Sequence, residues 1–194
     1  MTTAVAPARP GQVLADLLPA SRVRDAVLVA GGAALTGVAA QIAVPVPGSP
    51  VPVTGQTFAA LLVGTALGAR RGLLSLAVYA VVGMAGVPWF AEGGSGASAP
   101  SFGYILGMLL AATVVGALAR RGADRSVLRM AGTMLLGEAI IYAVGVPYLA
   151  FATGMTATQA IAAGLTPFLL GDALKAVLAM GLLPAAWKLV HREG

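Results

Sequence analysis

Long apolar runs, separated by short connections rich in charge or in proline and glycine, set the pattern of this chain. A helix needs about 20 mostly apolar residues to cross the hydrocarbon core of a bilayer. Six stretches fit that description: residues 26–44, 56–69, 72–87, 103–119, 130–152 and 166–187. The second and third are short and are separated only by the basic pair Arg70 and Arg71, which predicts a tight helical hairpin. No unit of 20–50 residues repeats, so neither a solenoid nor a duplicated half is expected. The expected fold is an all-α membrane protein, a compact bundle of six transmembrane helices.

The connections sort by charge. Arg22 and Arg24 precede the first run, and Arg70 and Arg71 follow the second. Arg120, Arg121, Arg125 and Arg129 lie between the fourth and fifth, and Lys188 and Arg192 follow the sixth. Connections 45–55, 88–102 and 153–165 carry no lysine or arginine. Basic residues are retained on the cytoplasmic side, so both termini are expected there. An even number of spans requires the same.

The outer connections have their own character. "PVPGSPVPVTGQTF" is rich in proline and should be extended. "PWFAEGGSGASAPSF" reads as a mobile loop or lid, and "TGMTATQAIAAGL" as a short interfacial helix. The first 25 residues are interrupted by Pro7, Pro10 and Pro19 and lack the unbroken apolar core of a signal peptide. They read as a flexible cytoplasmic tail with a short interfacial segment at 13–18, with a functional arm as the alternative. The division expected is therefore tail 1–25, membrane domain 26–190 and tail 191–194.

Composition narrows the class. The 194 residues are 58% hydrophobic and 10% charged, against about 25% charged in soluble domains. A multi-pass protein of the cell membrane is expected. The absence of cysteine excludes disulfide and thiolate chemistry, and a single histidine, His191 in the C-terminal tail, argues against a histidine-built metal site. The net charge of +5 follows the connections, so it signals topology and not a nucleic-acid partner. "GDALKA" has a lysine without the glycine spacing or Ser/Thr of a phosphate-binding loop, so the chain is not its own ATPase. "GGSG" at 93–96 matches an intramembrane serine-protease pattern, but His191 is expected on the opposite side, leaving Ser95 without a histidine base.

The candidate chemistry sits in the last run, "TPFLLGDALKAVLAMGLLPAAW", which holds Asp172 and Lys175. At 1.5 Å per residue they lie about 9 and 14 Å below the outer end. Residues three apart share a helix face. Each charge costs on the order of 2.5–3.5 kcal/mol in a span, so both should face protein or water. Other polar or aromatic residues fall at a similar level: Gln41, Thr54, Gln56, Thr57, Trp89, Phe90 and Tyr104. Glu138 falls about 14 Å from the inner end of the fifth run. Together they would ring a pocket open to the outside. Plainer roles stay open. Asp172 and Lys175 would neutralise each other, Glu138 would cap a backbone group or carry a proton, Gln56 and Thr57 would cap a helix, and Trp89 and Tyr104 would belong to an interfacial belt. Ala26, Ala30 and Ala34 recur every fourth residue, a spacing that permits close helix contact within the bundle or with another membrane subunit.

The segments "PVPVTGQTF", "GVPWFAEGGSG", "GYILG" and "GDALK", in this order and at these spacings, resemble the BioY family, the biotin-binding S-components of energy-coupling factor (ECF) transporters. "PSFGY" departs from the family's usual Gly-Pro-Thr-Gly-Gly-Tyr-like run. The resemblance implies six membrane helices and a biotin pocket facing outward. It also implies partnership with a transmembrane T-component, met by Ala26, Ala30 and Ala34, and with two cytoplasmic ATPase subunits. Biotin would be substrate, not cofactor. Its carboxylate needs a cation, and Lys175 is the only lysine or arginine within the runs. Asp172 would hold that ammonium in the empty state. Gln56, Thr57 and Glu138 would answer the ureido ring, and Trp89, Phe90 and Tyr104 would wall the thiophane ring and alkyl chain. Loop 89–102 would act as a gate. An autonomous permease for a small carboxylate, coupled to protons through Glu138, is the alternative.

Overall fold

Helix caps fix where the apolar runs begin. In the computed structural model, which describes residues 11–192, Ser21 accepts the Arg24 N–H at 3.0 Å and starts α1 (Arg22–Ala40). Gly55 opens α2 (Gln56–Leu67), which turns directly into α3 (Ala69–Met84). Then come α4 (Phe102–Arg120), α5 (Val127–Thr153) capped by Ser126, and α6 (Ala157–Gly164) capped by a Thr156–Gln159 box. α7 (Leu169–Arg192) follows a 3₁₀ turn at Thr166–Phe168. The proline-rich connection after α1 folds back on itself, with β1 (Ala43–Val44) pairing antiparallel to β2 (Val53–Thr54).

Among the described residues, α1, α4, α5 and the run Ala157–Val190 are long and apolar enough to cross a membrane. α2 has 12 residues and α3 has 16, about 18 and 24 Å of helix, so this hairpin falls short of a full bilayer core of about 30 Å. Its turn is Gly68, at φ +84°, a conformation that favours glycine. α4 is the most buried of the spanning helices and packs against α2, α3 and α5. α1 lies on α2 and α3, and α7 lies on α5. Close backbone contact explains why so many glycines are helical here. A Cβ at Gly64 would stand 2.6 Å from the Ala112 carbonyl oxygen of α4, and one at Gly107 would stand 2.8 Å from the Cα of Ile141 in α5.

Two segments differ from the sequence expectation. The described part of the presumed N-terminal tail is fixed. Val13 is fully buried and packs with Ala15 against Ala119, Leu28 and Leu67. Asp16 receives Arg71 at 2.8 Å and Arg120 at 3.5 Å, and Asp25 receives Arg71 at 3.0 Å and Arg24 at 2.7 Å. The expectation for residues 1–10 and 193–194 lies outside the described residues. The supposed lid is also anchored. Phe90 is buried, and Gln41 Nε2 donates to the Trp89 and Phe90 carbonyls at 3.1 Å. The Gly96 N–H donates to the Gly83 carbonyl at 3.0 Å, and the Tyr148 hydroxyl donates to the Ala97 carbonyl at 2.8 Å.

At the basic end of the bundle, α7 is tied to the α4–α5 connection. Trp187 Nε1 donates to the buried Asp124 Oδ2 at 2.6 Å, and the Arg125 guanidinium lies 4.5 Å from the Trp187 ring centre. Burial pushes the Asp124 carboxyl above its ordinary range, with the Trp187 bond a partial counterweight. Asp16 shows the opposite balance. Burial raises its carboxyl, but the bonds from Arg71 and the Val13 N–H, with the charges of Arg120 and Arg71, bring it below the ordinary value of 3.8. A carboxyl lowered on folding stabilises above its unfolded pKa, and that contribution is lost as pH falls. Asp16→Asn should therefore cost about 1 kcal/mol at neutral pH, after allowance for solvent screening. The gap in melting temperature between it and the parent in detergent should close below about pH 4.

Candidate ligand-binding site

The site is built where two chain reversals meet. The β1–β2 turn carries Val51, Pro52 and Thr54 to the start of α2, where the Thr54 hydroxyl accepts the Gln56 N–H at 3.3 Å. The turn at Thr166–Phe168 carries the chain into α7. Between them lies a narrow cavity of about 30 Å³. Its polar side is Gln56, Thr57, Ser101, Tyr142, Asp172 and Lys175. Val51, Pro52, Tyr104, Met108 and Phe168 give it apolar walls.

One knot of side chains joins three helices. Lys175 Nζ donates to Asp172 Oδ1 and to Thr57 Oγ1, each at 2.9 Å. The Tyr142 hydroxyl of α5 donates to Asp172 Oδ2. Both Asp172 oxygens are thus filled, whereas an ammonium has three donors and Lys175 keeps one for a ligand. Two further groups have unmet capacity. The Gln56 side chain is buried and its Nε2 has no partner. Glu138 is 7% exposed and neither of its oxygens accepts a hydrogen bond. Glu138 lies behind the cavity wall, within electrostatic reach of Asp172 and Lys175 and facing Thr57, but no bond of ordinary geometry joins it to Thr57.

The structure therefore brings Gln56, Thr57, Tyr104, Asp172 and Lys175 around one cavity, with Glu138 next to it. Tyr104 offers its ring, because its hydroxyl is spent on the Gly164 carbonyl at 2.7 Å. Its ring stacks on Phe168 with centroids 6.4 Å apart. Trp89 and Phe90 line no part of the cavity, a correction to their expected place as walls. Trp89 lies over Gly37 of α1 and donates Nε1 to the Tyr79 carbonyl at 3.0 Å. Phe90 sinks against Gly83 and meets Tyr79 edge-on at 5.2 Å. Both anchor the loop, and it is the next residue, Ala91, that reaches the cavity. Tyr142, Met108, Phe168, Ser101, Val51 and Pro52 were not anticipated. Tyr142 did have a signal, standing four residues after Glu138 on one helix face.

Ala26, Ala30 and Ala34 are exposed along one face of α1, beside exposed Val27 and Leu35. The buried face of α1 is Gly32, Ala33, Thr36, Gly37 and Ala40. The alanine stripe is thus not used to pack this bundle.

Comparison with known proteins agrees with the geometry. The model of the BioY family matches residues 11–192. A probable biotin transporter BioY of Lysinibacillus sphaericus is 41% identical over 125 residues, 63% of each chain. A probable biotin transporter BioY of Pyrococcus horikoshii is 37% identical over 82% of this chain and 93% of that protein. The biotin transporter BioY of Thermotoga maritima is 38% identical over 75% of this chain and 85% of that protein. A crystal structure of the S-component for biotin from an ECF-type ABC transporter has the same fold, with a TM-score of 0.77 at 22% identity over 88% of this chain and 95% of that one.

The knot itself is testable. Tyr142→Phe leaves one oxygen of a buried carboxylate unpartnered and should lower stability in detergent by about 1–3 kcal/mol. In the Asp172→Asn background the same substitution should cost measurably less, because the two side chains act as one unit. Equal costs in both backgrounds would remove the Tyr142–Asp172 bond from the account.

Proposed function

The chain belongs to the BioY family, and from that premise we propose that it is the biotin-binding membrane subunit of a vitamin-uptake transporter, not an enzyme. The observation that carries this reading is the ammonium of Lys175, fixed by Asp172 and Thr57 with a donor to spare, at the wall of a cavity lined by polar groups on one side and apolar ones on the other. A carboxylate ligand completes the Lys175 shell. The unfilled Gln56 Nε2 would donate to the ureido carbonyl, and the vacant Glu138 oxygens, behind the wall, would reach the ureido N–H groups only if the cavity opened toward them. Tyr104, Phe168, Met108, Val51 and Pro52 enclose the rings and alkyl chain. The protein would capture its substrate on the extracytoplasmic side, with both termini cytoplasmic, as the arginine distribution requires.

Inward delivery would depend on a transmembrane T-component and two cytoplasmic ATPase subunits, because this chain has no phosphate-binding loop. The exposed stripe of Ala26, Ala30 and Ala34 suits close contact with the T-component. Delivery would proceed by reorientation of the bundle in the membrane. Loop 89–102 would gate the cavity by release of its anchors at Gln41 and Tyr148. The unpartnered Glu138 favours one second reading, an autonomous permease for a small carboxylate coupled to protons. Uptake into vesicles containing only this chain would support that reading, and strict dependence on added ATPase subunits would count against it.

Lys175→Ala should weaken biotin binding at least tenfold, about 1.4 kcal/mol, in a titration of folded protein in detergent. Biotin with its carboxyl amidated should lose a similar factor against the parent protein. Full affinity in both experiments would remove Lys175 as the carboxylate anchor.

A further inference from the structure

The end of the bundle opposite the cavity holds a second cleft, of about 350 Å³, between α1, α3 and α4. It is lined by Arg70, Arg71, Arg120 and Asp25 together with the apolar Ala26, Val29 and Leu74. The charges do not balance. Asp16 takes Arg71 and Arg120, and Asp25 takes Arg24 and Arg71. Three guanidiniums therefore meet two carboxylates, and a fourth, Arg70, stands beside them. Arg70 is exposed and pairs with no acid among the described residues. Arg120 reaches its aspartate only at 3.5 Å and is 44% exposed.

The surrounding backbone has the same sign. α3 starts with no side-chain cap and no acidic residue in its first turn, where Arg70 and Arg71 stand instead. Helix starts leave N–H groups unmet and favour negative charge, so loading one with arginine leaves a positive excess that the protein itself does not neutralise. The two paired aspartates hold Arg71 rigid and so present the cleft ready-formed. The rest of the lining has the other polarity: Leu74 is 44% exposed, and Ala26 is exposed beside it on the lipid side of α1. An occupant must be anionic where the arginines are and apolar beside them, at the level where helices leave the hydrocarbon. An anionic phospholipid has that build, and basic pockets between helices are known to seat such headgroups.

We propose that this cleft binds the phosphate of an anionic phospholipid from the leaflet at the basic end, held by Arg70 and by the N–H groups that Arg120 does not spend on the Gly11 carbonyl and Asp16, with Leu74 and Val29 against the first carbons of its chains. Because Ala26 belongs both to this lining and to the exposed alanine stripe, the lipid sits at the border of the face offered to a membrane partner.

The test uses the purified full chain, delipidated in a neutral detergent and titrated with dioleoylphosphatidylglycerol or dioleoylphosphatidylcholine. Bound lipid is counted by native mass spectrometry. Phosphatidylglycerol should be retained preferentially, and Arg70→Gln should lower its apparent affinity about fivefold, the worth of one basic contact near a charged surface. Arg129→Gln, which changes an exposed arginine at the same end but outside the cleft, should leave it unchanged. Gel filtration and thermal unfolding establish the fold of each variant, and Arg120→Gln gives the same reading if Arg70→Gln does not fold. Equal retention of the two lipids would overturn the proposal. So would equal loss in the Arg70 and Arg129 variants, or displacement of the lipid by millimolar inorganic phosphate, which would mark a site for soluble anions.

Discussion

A lysine ammonium held against a carboxylate inside an apolar helix is the constraint around which this molecule is arranged. Buried ion pairs seldom stabilise a protein more than well-packed apolar residues of the same volume would, and in a bilayer each charge carries an insertion cost as well. Asp172 and Lys175 persist because their surroundings complete them. Thr57 comes from α2, Tyr142 from α5, and the pair itself from α7. The arrangement gives each oxygen of the aspartate a donor and leaves the lysine one donor to spare. A pair kept only for neutrality would not need the cavity it borders. Fixing the ammonium before the ligand arrives removes an ordering cost from binding.

That placement depends on the short α2–α3 hairpin. A 12-residue helix cannot reach both faces of a bilayer, so the start of α2 lies inside the bundle. Gln56 is accordingly buried at the first position of its helix, and Val51, in the connection before it, is 6% exposed. Extended backbone at that depth is tolerated where it lines a cavity. The β1–β2 pairing satisfies part of its hydrogen bonding. Bare glycine surfaces hold the hairpin: Gly64 against Ala112, and Gly72 against Gly64 itself. Shape at the closed end thus creates space at the open end.

The helices and the charge pair were legible in the sequence because both rest on strong signals, length of apolar run and rarity of charge, although, among the described residues, only four of the six expected runs are long enough to span by themselves. The roles of Trp89 and Phe90 were not. An aromatic residue beside a pocket motif declares its size, not the side of the loop it faces, and only the gaps at Gly37 and Gly83 show where the two rings go. The N-terminal segment escaped for another reason. Val13 and Ala15 bury too few residues to leave a periodic trace, and the partners of Asp16 come from Arg71 and Arg120, far away in the chain. Arginines that read as topology signals also serve as structural ties, and sequence position alone cannot separate the two uses. Tyr142 was legible through its spacing from Glu138, had both been placed on the face opposite Asp172.

The packing below the cavity bears on how a ligand could leave. Leu61, Val115, Met130 and Met134 are all buried to 1% exposure or less. A Cβ on Gly137 would come within 3.1 Å of both Leu61 Cδ1 and Val115 Cγ1, which leaves little space for side chains to swing aside. Sliding α7 alone is also costly, because its far end is held by the buried Trp187–Asp124 bond with Arg125 over the indole. The N-terminal segment adds a further clamp, Asp16 reaching arginines of both α3 and α4. Opening a path through the bundle would break several of these contacts together. Turning the bundle as a body would break none of them, and would instead exchange the lipid-facing surfaces of α1 and α7 for others. The internal ties of this protein therefore favour reorientation over an internal gate as the route by which a captured substrate reaches the other side.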